Sequence, residues 1–125
     1  MKITHKFIFF CLLIAFCLLS SCQSEKQADL RARMQEWDDI LWEKSDIEID
    51  EGPQAVLDSL ESIDIKSLHP KNRAYYYLLQ TIARDKSYYV FENDSAISVA
   101  MKWYKNKPDA YNYSRSLFYH AIVLS

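Results

Sequence analysis

Three acidic side chains in the segment SDIEIDEGPQ have the alternating spacing with which calcium-binding loops begin. Asp46, Glu48 and Asp50 stand at every second position, and a glycine follows closely. A loop of this kind needs its glycine at the sixth position and a bidentate glutamate at the twelfth. The sixth position is Glu51 here, and the twelfth is Leu57. The segment is therefore interpreted as an acidic lead-in to the helix that follows, and no calcium site is predicted.

No other catalytic or metal-binding arrangement is predicted. His69 and His120 are far apart in sequence and lack the spaced companions of a zinc site. The single glycine of the chain excludes both a phosphate-cradling loop and a nucleophile elbow. The pairs Asp38-Asp39 and Asp50-Glu51 diverge along a helix or lie in a loop, so they are predicted to be solvated. The sequence predicts a protein that is not an enzyme and has no cofactor and no metal.

Cys22 has a more specific chemical setting. Lys2 and Lys6 form a short basic region, residues 7–19 are an unbroken apolar run, and Ser20-Ser21 supply small residues before the cysteine. This order is typical of a secretory signal. The sequence Leu19-Ser20-Ser21-Cys22 is similar to a bacterial lipobox, in which the cysteine receives diacylglycerol before cleavage. The resemblance implies lipidation at Cys22, and ordinary signal cleavage nearby is the alternative.

The apolar run of thirteen residues is short for a permanent membrane span, because a helix crossing the bilayer core needs about 20 residues. Cys11 and Cys17 lie inside this run, so processing leaves Cys22 as the last cysteine and no intrachain disulfide is predicted. An exported domain without a disulfide must depend on its hydrophobic core.

The predicted domain organisation has three parts. Residues 1–21 are the lipoprotein signal peptide, residues 22–28 a polar tether, and residues 29–125 a helical domain that is incomplete at its C-terminus. The processed chain would carry 13 basic and 17 acidic residues, a net charge of −4. This charge favours neither nucleic acid nor electrostatic attraction to an anionic lipid surface, which leaves attachment to the acyl groups.

Apolar residues recur with the helical period throughout the domain, and no segment alternates like a strand. Leu30, Met34, Trp37 and Leu41 form the first stripe, and the intervening Arg31, Arg33, Glu36 and Asp38 are predicted to face solvent. Four more helices are predicted, at Pro53 to about Ile63, about Lys71 to Lys86, from Asp94-Ser95, and from Pro108-Asp109. The predicted fold class is all-α, built from antiparallel helix pairs.

Part of this pattern matches a tetratricopeptide repeat. Ala96, Ala100 and Pro108 have the spacing of its second helix, whereas Leu79 stands where the signature has glycine. With PQAVLDSLESID, AYYYLLQTIARDK and DSAISVAMKWY, the chain resembles the lipid-anchored tetratricopeptide-like proteins of Bacteroides and its relatives over about residues 37–125. The resemblance implies a short helical solenoid. Unrelated helical hairpins are the alternative.

Tyrosines cluster along the predicted helices, and exposed tyrosine is favoured at protein interfaces. The residues predicted to contact a partner are Tyr76, Tyr77, Tyr113, Phe118 and Tyr119. The alternative is that these rings only fill gaps between helices. The last helix, SLFYHAIVLS, is apolar and is predicted to be exposed along Leu117, Phe118, Tyr119 and Ile122, which suggests self-association or a partner.

Two functions therefore stay open. The first is a lipid-anchored scaffold of the cell envelope, on the inner or outer membrane, that binds protein or peptide. The second is the N-terminal sensory part of a longer envelope signalling or regulatory protein.

Overall fold

A computed structural model describes residues 2–43 and 52–125, and these residues are all-helical, without a strand among them. Asp46, Glu48 and Asp50 lie outside the described residues. The helices are α1 (Lys2–Glu43), α2 (Pro53–Glu61), α3 (Pro70–Lys86), α4 (Ser95–Tyr104) and α5 (Ala110–Leu124), with a 3-10 turn at Ile65–Ser67 before α3.

Helix α1 is continuous for 42 residues. The segment 22–28, interpreted from composition as a tether, is part of this helix. No glycine or proline precedes Gly52, and lysine, glutamine, glutamate and alanine all favour helix, so nothing in this region ends it. The Gln27 side chain is also packed, because its Nε2 donates to the Ser67 carbonyl at 2.8 Å and its Oε1 accepts from the His69 amide at 3.0 Å.

The apolar part of α1 is exposed. In the described part of the chain, α1 is the one helix long and apolar enough to cross a membrane by length and composition, and none of its most apolar window is buried. A signal sequence near the N-terminus meets the same criterion. The structure therefore contains one N-terminal apolar helix that has the character of a signal or an anchor.

The other helices begin where the sequence predicts. Pro53 and Pro70 occupy first turns, where no amide hydrogen is needed. The Asp109 carboxylate accepts from the Asn112 amide at 3.0 Å and caps α5. At α4 the N-cap residue is Asp94, but the side chain that accepts from the Ser95 amide is Asn93, through Oδ1 at 3.0 Å. The Asp94 carboxylate instead lies 3.0 Å from His120 on α5.

Each of the five helices packs against the next, and α3 also packs against α1 and α5. Helix α3 therefore contacts all four others and forms the centre of the domain. The predicted stripe of α1 is confirmed, because Met34 and Leu41 are buried while Leu30 and Trp37 pack against the core. The fully buried side chains of α3 include Leu78, Leu79 and Ile82.

Three placements differ from the sequence analysis. Asp38, predicted to be solvated, is buried, because Tyr75 of α3 and Arg115 of α5 contact its carboxylate. Tyr76 and Tyr119, predicted to contact a partner, are only 2% and 4% exposed, so their rings are core residues. On α5, Leu117 and Phe118 are exposed as predicted, whereas Ile122 is partly buried.

Candidate functional site

A buried ion pair joins the first and last helices of the domain across α3. Arg115 Nη1 and Nη2 donate to the two carboxylate oxygens of Asp38, each at 2.8 Å. The two residues are 77 positions apart and their side chains are 8% and 12% exposed. This parallel, two-pronged geometry is the strongest form of the arginine–carboxylate contact.

Further hydrogen bonds complete the ion pair. The Tyr75 hydroxyl donates to Asp38 Oδ2 at 2.5 Å, and Trp42 Nε1 donates to Asp38 Oδ1 at 3.0 Å. Arg115 Nη2 also donates to Asn112 Oδ1 at 2.6 Å. We call these five residues, Asp38, Tyr75, Trp42, Asn112 and Arg115, the Asp38 network. Its carboxylate is fully satisfied, which is the condition under which a buried charge is tolerated.

The network sets the charge state of its members. Burial by itself raises the pKa of Asp38, but hydrogen bonds from Arg115 and Tyr75 and the charge of Arg115 outweigh it and hold the pKa below its usual value. Burial and the Asp38 carboxylate raise the pKa of Tyr75 far above its usual range. Asp38 is therefore ionised and Tyr75 is a neutral donor at neutral pH, so neither is a proton-transfer group in this range.

An open groove of about 490 Å³ lies beside the network, between α1 and α5. We call it the α1–α5 groove. Arg31, Gln35 and Asp39 contribute from α1, and Tyr111 contributes from α5. The guanidinium of Arg115 lies 4.6 Å from the centre of the Tyr111 ring. The groove is thus mainly polar, and the Asp38 network forms part of its lining.

Arg31 is the least satisfied cation of this groove. Its guanidinium lies 4.1 Å over the Tyr75 ring, and its Nη1 is buried without a hydrogen-bond partner in the described residues. The Tyr104 hydroxyl is also buried; burial raises the pKa of Tyr104 to about 12, against the lowering effect of Arg31, which lies within interaction distance of this hydroxyl. Arg31 makes no ion pair in the described residues, so an acceptor that enters the groove would meet a cation without a counter-charge.

A second groove, of about 540 Å³, lies under the loop between α3 and α4. Tyr77, Arg84 and Phe91 are among its lining residues. At the tip of this loop Tyr88 has φ 61°, the left-handed region that costs a non-glycine residue energy. Tyr88 and Val90 are 81% and 91% exposed, so this loop presents apolar surface to solvent.

The structure does not gather the five predicted contact residues into one site. Tyr77 lines the loop groove, Tyr113 is partly buried against the core, and Phe118 is 60% exposed on α5. Tyr76 and Tyr119 are buried, and each makes an edge-to-face contact with the adjacent ring, Tyr77 at 5.4 Å and Phe118 at 5.2 Å. In each of these two aromatic clusters, one ring is therefore in the core and the adjacent ring is closer to the surface.

Cys22 is exposed and unbridged in the structure, as are Cys11 and Cys17. The side chains of Leu19, Ser20 and Ser21 lie outside the described residues. Within residues 2–43 and 52–125, no three His, Cys, Asp or Glu side chains converge as metal ligands would. His69 is exposed beside Pro70, and His120 is occupied by Asp94.

Sequence reasoning missed the Asp38 network because its two charges are far apart along the chain. One available signal is that Asp38 is four residues from both Met34 and Trp42, at the edge of the apolar stripe. A second is that Arg115 is the one basic residue between Pro108 and His120. Neither signal identifies the partner.

Comparison of the chain with family models, curated proteins and solved structures finds no match.

Proposed function

We propose that this chain is a lipid-anchored protein of the bacterial cell envelope that binds a protein or peptide and catalyses no reaction. The lipobox-like Leu19-Ser20-Ser21-Cys22 supports anchoring at Cys22. The apolar helix before it supports a membrane location, because Phe7, Phe9 and Phe16 are all more than 60% exposed. Such a surface is suited to a lipid environment. The proposal applies to either membrane of the envelope.

The helical domain is proposed to be a short tetratricopeptide-like solenoid. In such a stack each helix packs on the next, and the first helices of successive pairs also pack on one another. The contacts of α3 with both neighbours, and with α1 and α5, support this arrangement. Helices α1, α3 and α5 would then form one layer, and α2 and α4 the other.

The α1–α5 groove is the proposed binding surface, and Arg31, a cation with no ion-pair partner in the described residues, is the observation that carries the proposal. The groove crosses the layer formed by α1, α3 and α5, and the Asp38 network holds its two walls together. An arginine without a counter-charge in the lining of a groove favours an acceptor supplied by a partner. A carbonyl or carboxylate of a bound peptide has the required chemistry.

Replacing Cys22 with serine should abolish incorporation of a fatty-acid probe, because serine lacks the thiol that is acylated. The measurement is metabolic labelling in a bacterial host, followed by separation of membrane and soluble fractions. Cys17→Ser is the matched control and should leave labelling unchanged, since Cys17 lies upstream of the proposed cleavage site. A Cys22→Ser variant that is still labelled and membrane-bound would show that the anchor proposal is wrong.

Site-specific photo-crosslinking tests the binding surface. A photoreactive amino acid at Gln35, inside the α1–α5 groove, should form adducts with another protein, and the added change Arg31→Gln should reduce them by roughly tenfold, the effect of losing one charged hydrogen bond. The same probe at the exposed Asp58 of α2 is the control and should give no adduct. Equal adducts at both positions, or no effect of Arg31→Gln, would contradict the proposal.

The exposed face of α5 favours a second possibility, in which this domain is the sensory part of a larger assembly. Leu117, Phe118 and Leu124 expose 43%, 60% and 65% of their surface on one helix. An apolar face of this kind is typically covered by a further helix or a second copy. The photoreactive residue placed at Phe118 distinguishes these cases, because self-association would give adducts of twice the mass of the chain.

A further inference from the structure

The charge of this chain is unevenly distributed, although its net value is only −2. Lys66 lies in the 3-10 turn before α3, and Lys71 is in the first turn of α3. Lys105 and Lys107 follow directly after α4. Because α3 and α4 form an antiparallel pair, the start of α3 and the end of α4 lie at the same end of the domain. We call these four residues the lysine end.

The side chains of the lysine end are accessible to an external anion. All four side chains are exposed, and Lys107 in addition lies over the Trp103 ring, with its Nζ 4.2 Å from the ring centre. The ion pairs in the described residues use Asp29, Asp38 and Asp94, and none of them involves these lysines. The nearby Asp64 accepts from the Lys66 backbone amide and Asp109 from the Asn112 amide. These two carboxylates and the exposed Glu61 keep their charge, but the lysines, with Lys102 in the last turn of α4, outnumber them at this end.

Helix α1 enters the domain at this same end. The Gln27 side chain forms hydrogen bonds with Ser67 and His69, and the Gln27 backbone carbonyl accepts from the Asn72 side chain at 3.0 Å. The apolar run stops at Leu19, eight residues earlier, and Cys22 is five residues earlier. At 1.5 Å per residue, these positions lie only about 12 and 8 Å along the helix from Gln27. A membrane that holds either of them is within about one screening length of the lysine end.

The opposite end of the domain carries a small excess of acidic side chains. Asp85 is near the end of α3, and Glu92 and Asp94 lie in the loop before α4, against Arg84 and Lys86 in the last turn of α3. Lys86 is the lysine at that end, and it lies over the Trp42 ring at 4.5 Å. The domain is therefore polarised along α1, with its basic end toward the apolar helix.

We propose that the lysine end rests on the anionic headgroups of the membrane that holds the N-terminus, and so orients the α1–α5 groove relative to the bilayer. This inference depends on the membrane attachment proposed above. Each lysine near an anionic surface is favoured by roughly fivefold in its equilibrium. Four together would hold this end of the domain against the surface, in addition to the attachment through the continuous helix α1.

Lysine footprinting of the full chain in lipid nanodiscs tests the proposal. An acylating reagent and mass spectrometry report the reactivity of each lysine in neutral phosphatidylcholine discs and in discs containing phosphatidylglycerol. We expect Lys66, Lys71, Lys105 and Lys107 to react several-fold more slowly in anionic discs and to recover in 1 M salt, where screening is nearly complete. Lys86 is the internal control and should be unchanged.

Two double variants distinguish the effect of positive charge at the lysine end from the effect of the net charge of the chain. Lys71→Gln with Lys105→Gln lowers the net charge by two at the lysine end and should largely remove the protection of Lys66 and Lys107. Ala55→Glu with Val90→Glu lowers it equally at exposed positions of the other end and should leave that protection intact. Equal effects of the two variants would overturn the inference.

Three results would count against the proposal in different ways. If the chain does not enter the discs, the membrane attachment is wrong, and this inference with it. If it enters but the four lysines react equally in both kinds of disc, the inference alone is overturned. If inorganic phosphate protects them in neutral discs better than chloride of equal ionic strength, the site is a local anion site and not a lipid-facing surface.

Discussion

Replacing Asp38 with asparagine is expected to lower the free energy of unfolding by about 3–5 kcal/mol. The change leaves the buried guanidinium of Arg115 without its counter-charge, and it weakens the bonds from Tyr75 and Trp42. Urea unfolding of the full chain in mild detergent, followed by circular dichroism, measures the loss. Asp39→Asn is the matched control, because Asp39 is the exposed neighbour and should change stability by less than about 0.5 kcal/mol.

The double variant Asp38→Leu with Arg115→Met distinguishes the stability contributed by the ion pair from the cost of burying Arg115 without its counter-charge. Both charges are removed, so no unpaired ion is buried; the Tyr75 hydroxyl loses its acceptor, which costs about 1–3 kcal/mol, so part of the lost stability should return. A double variant as unstable as Asp38→Asn would show that the two residues do not act as a pair. Equal stability of Asp38→Asn and Asp39→Asn would show that the bridge contributes nothing measurable.

The same carboxylate gives the chain an acid-sensitive stability. The pKa of Asp38 is lower in the folded chain than in the unfolded chain, where it is about 3.9. Its stabilising contribution is therefore complete above pH 3.9 and is lost as the pH falls toward the folded pKa. The double variant should lack this part of the pH dependence.

Replacing Leu78 with alanine should cost about 2–5 kcal/mol, because its side chain is 0% exposed at the centre of α3 and the change leaves a cavity. The control is Leu117→Ala on α5, which stands 39 residues later. Leu117 is 43% exposed, so the same deletion should cost less than about 1 kcal/mol. Both variants can be compared by the same urea titration.

The stabilities of Leu78→Ala and Leu117→Ala also test whether the exposed face of α5 is covered in solution. If Leu117→Ala costs as much as Leu78→Ala, α5 is covered in solution by a second copy or another segment. The loss at Leu117 would then depend on protein concentration if a second copy is the cover. If Leu78→Ala costs little, the position of α3 at the centre of the domain is wrong.

Much of the helical architecture was determined by local sequence. Proline fits a first helical turn, so Pro53 and Pro70 begin helices, and the Asp109 side chain caps α5. The stripe containing Met34 and Leu41 indicated the buried face of α1, because the helical period brings residues four and seven apart onto one side. The continuity of α1 through residues 22–28 was also readable, since no helix-breaking residue occurs there.

Only the tertiary structure decided which individual polar and aromatic side chains are buried. Asp38 and Asp39 are adjacent and chemically identical, yet one is buried because Arg115, 77 positions away, is brought opposite it. Tyr76 and Tyr77 differ in the same way, according to which neighbouring helix covers them. The lysine end is likewise invisible in the net charge, because antiparallel packing unites residues about 40 positions apart. Local propensity acts through neighbours along the chain, whereas burial and charge pairing depend on neighbours in space.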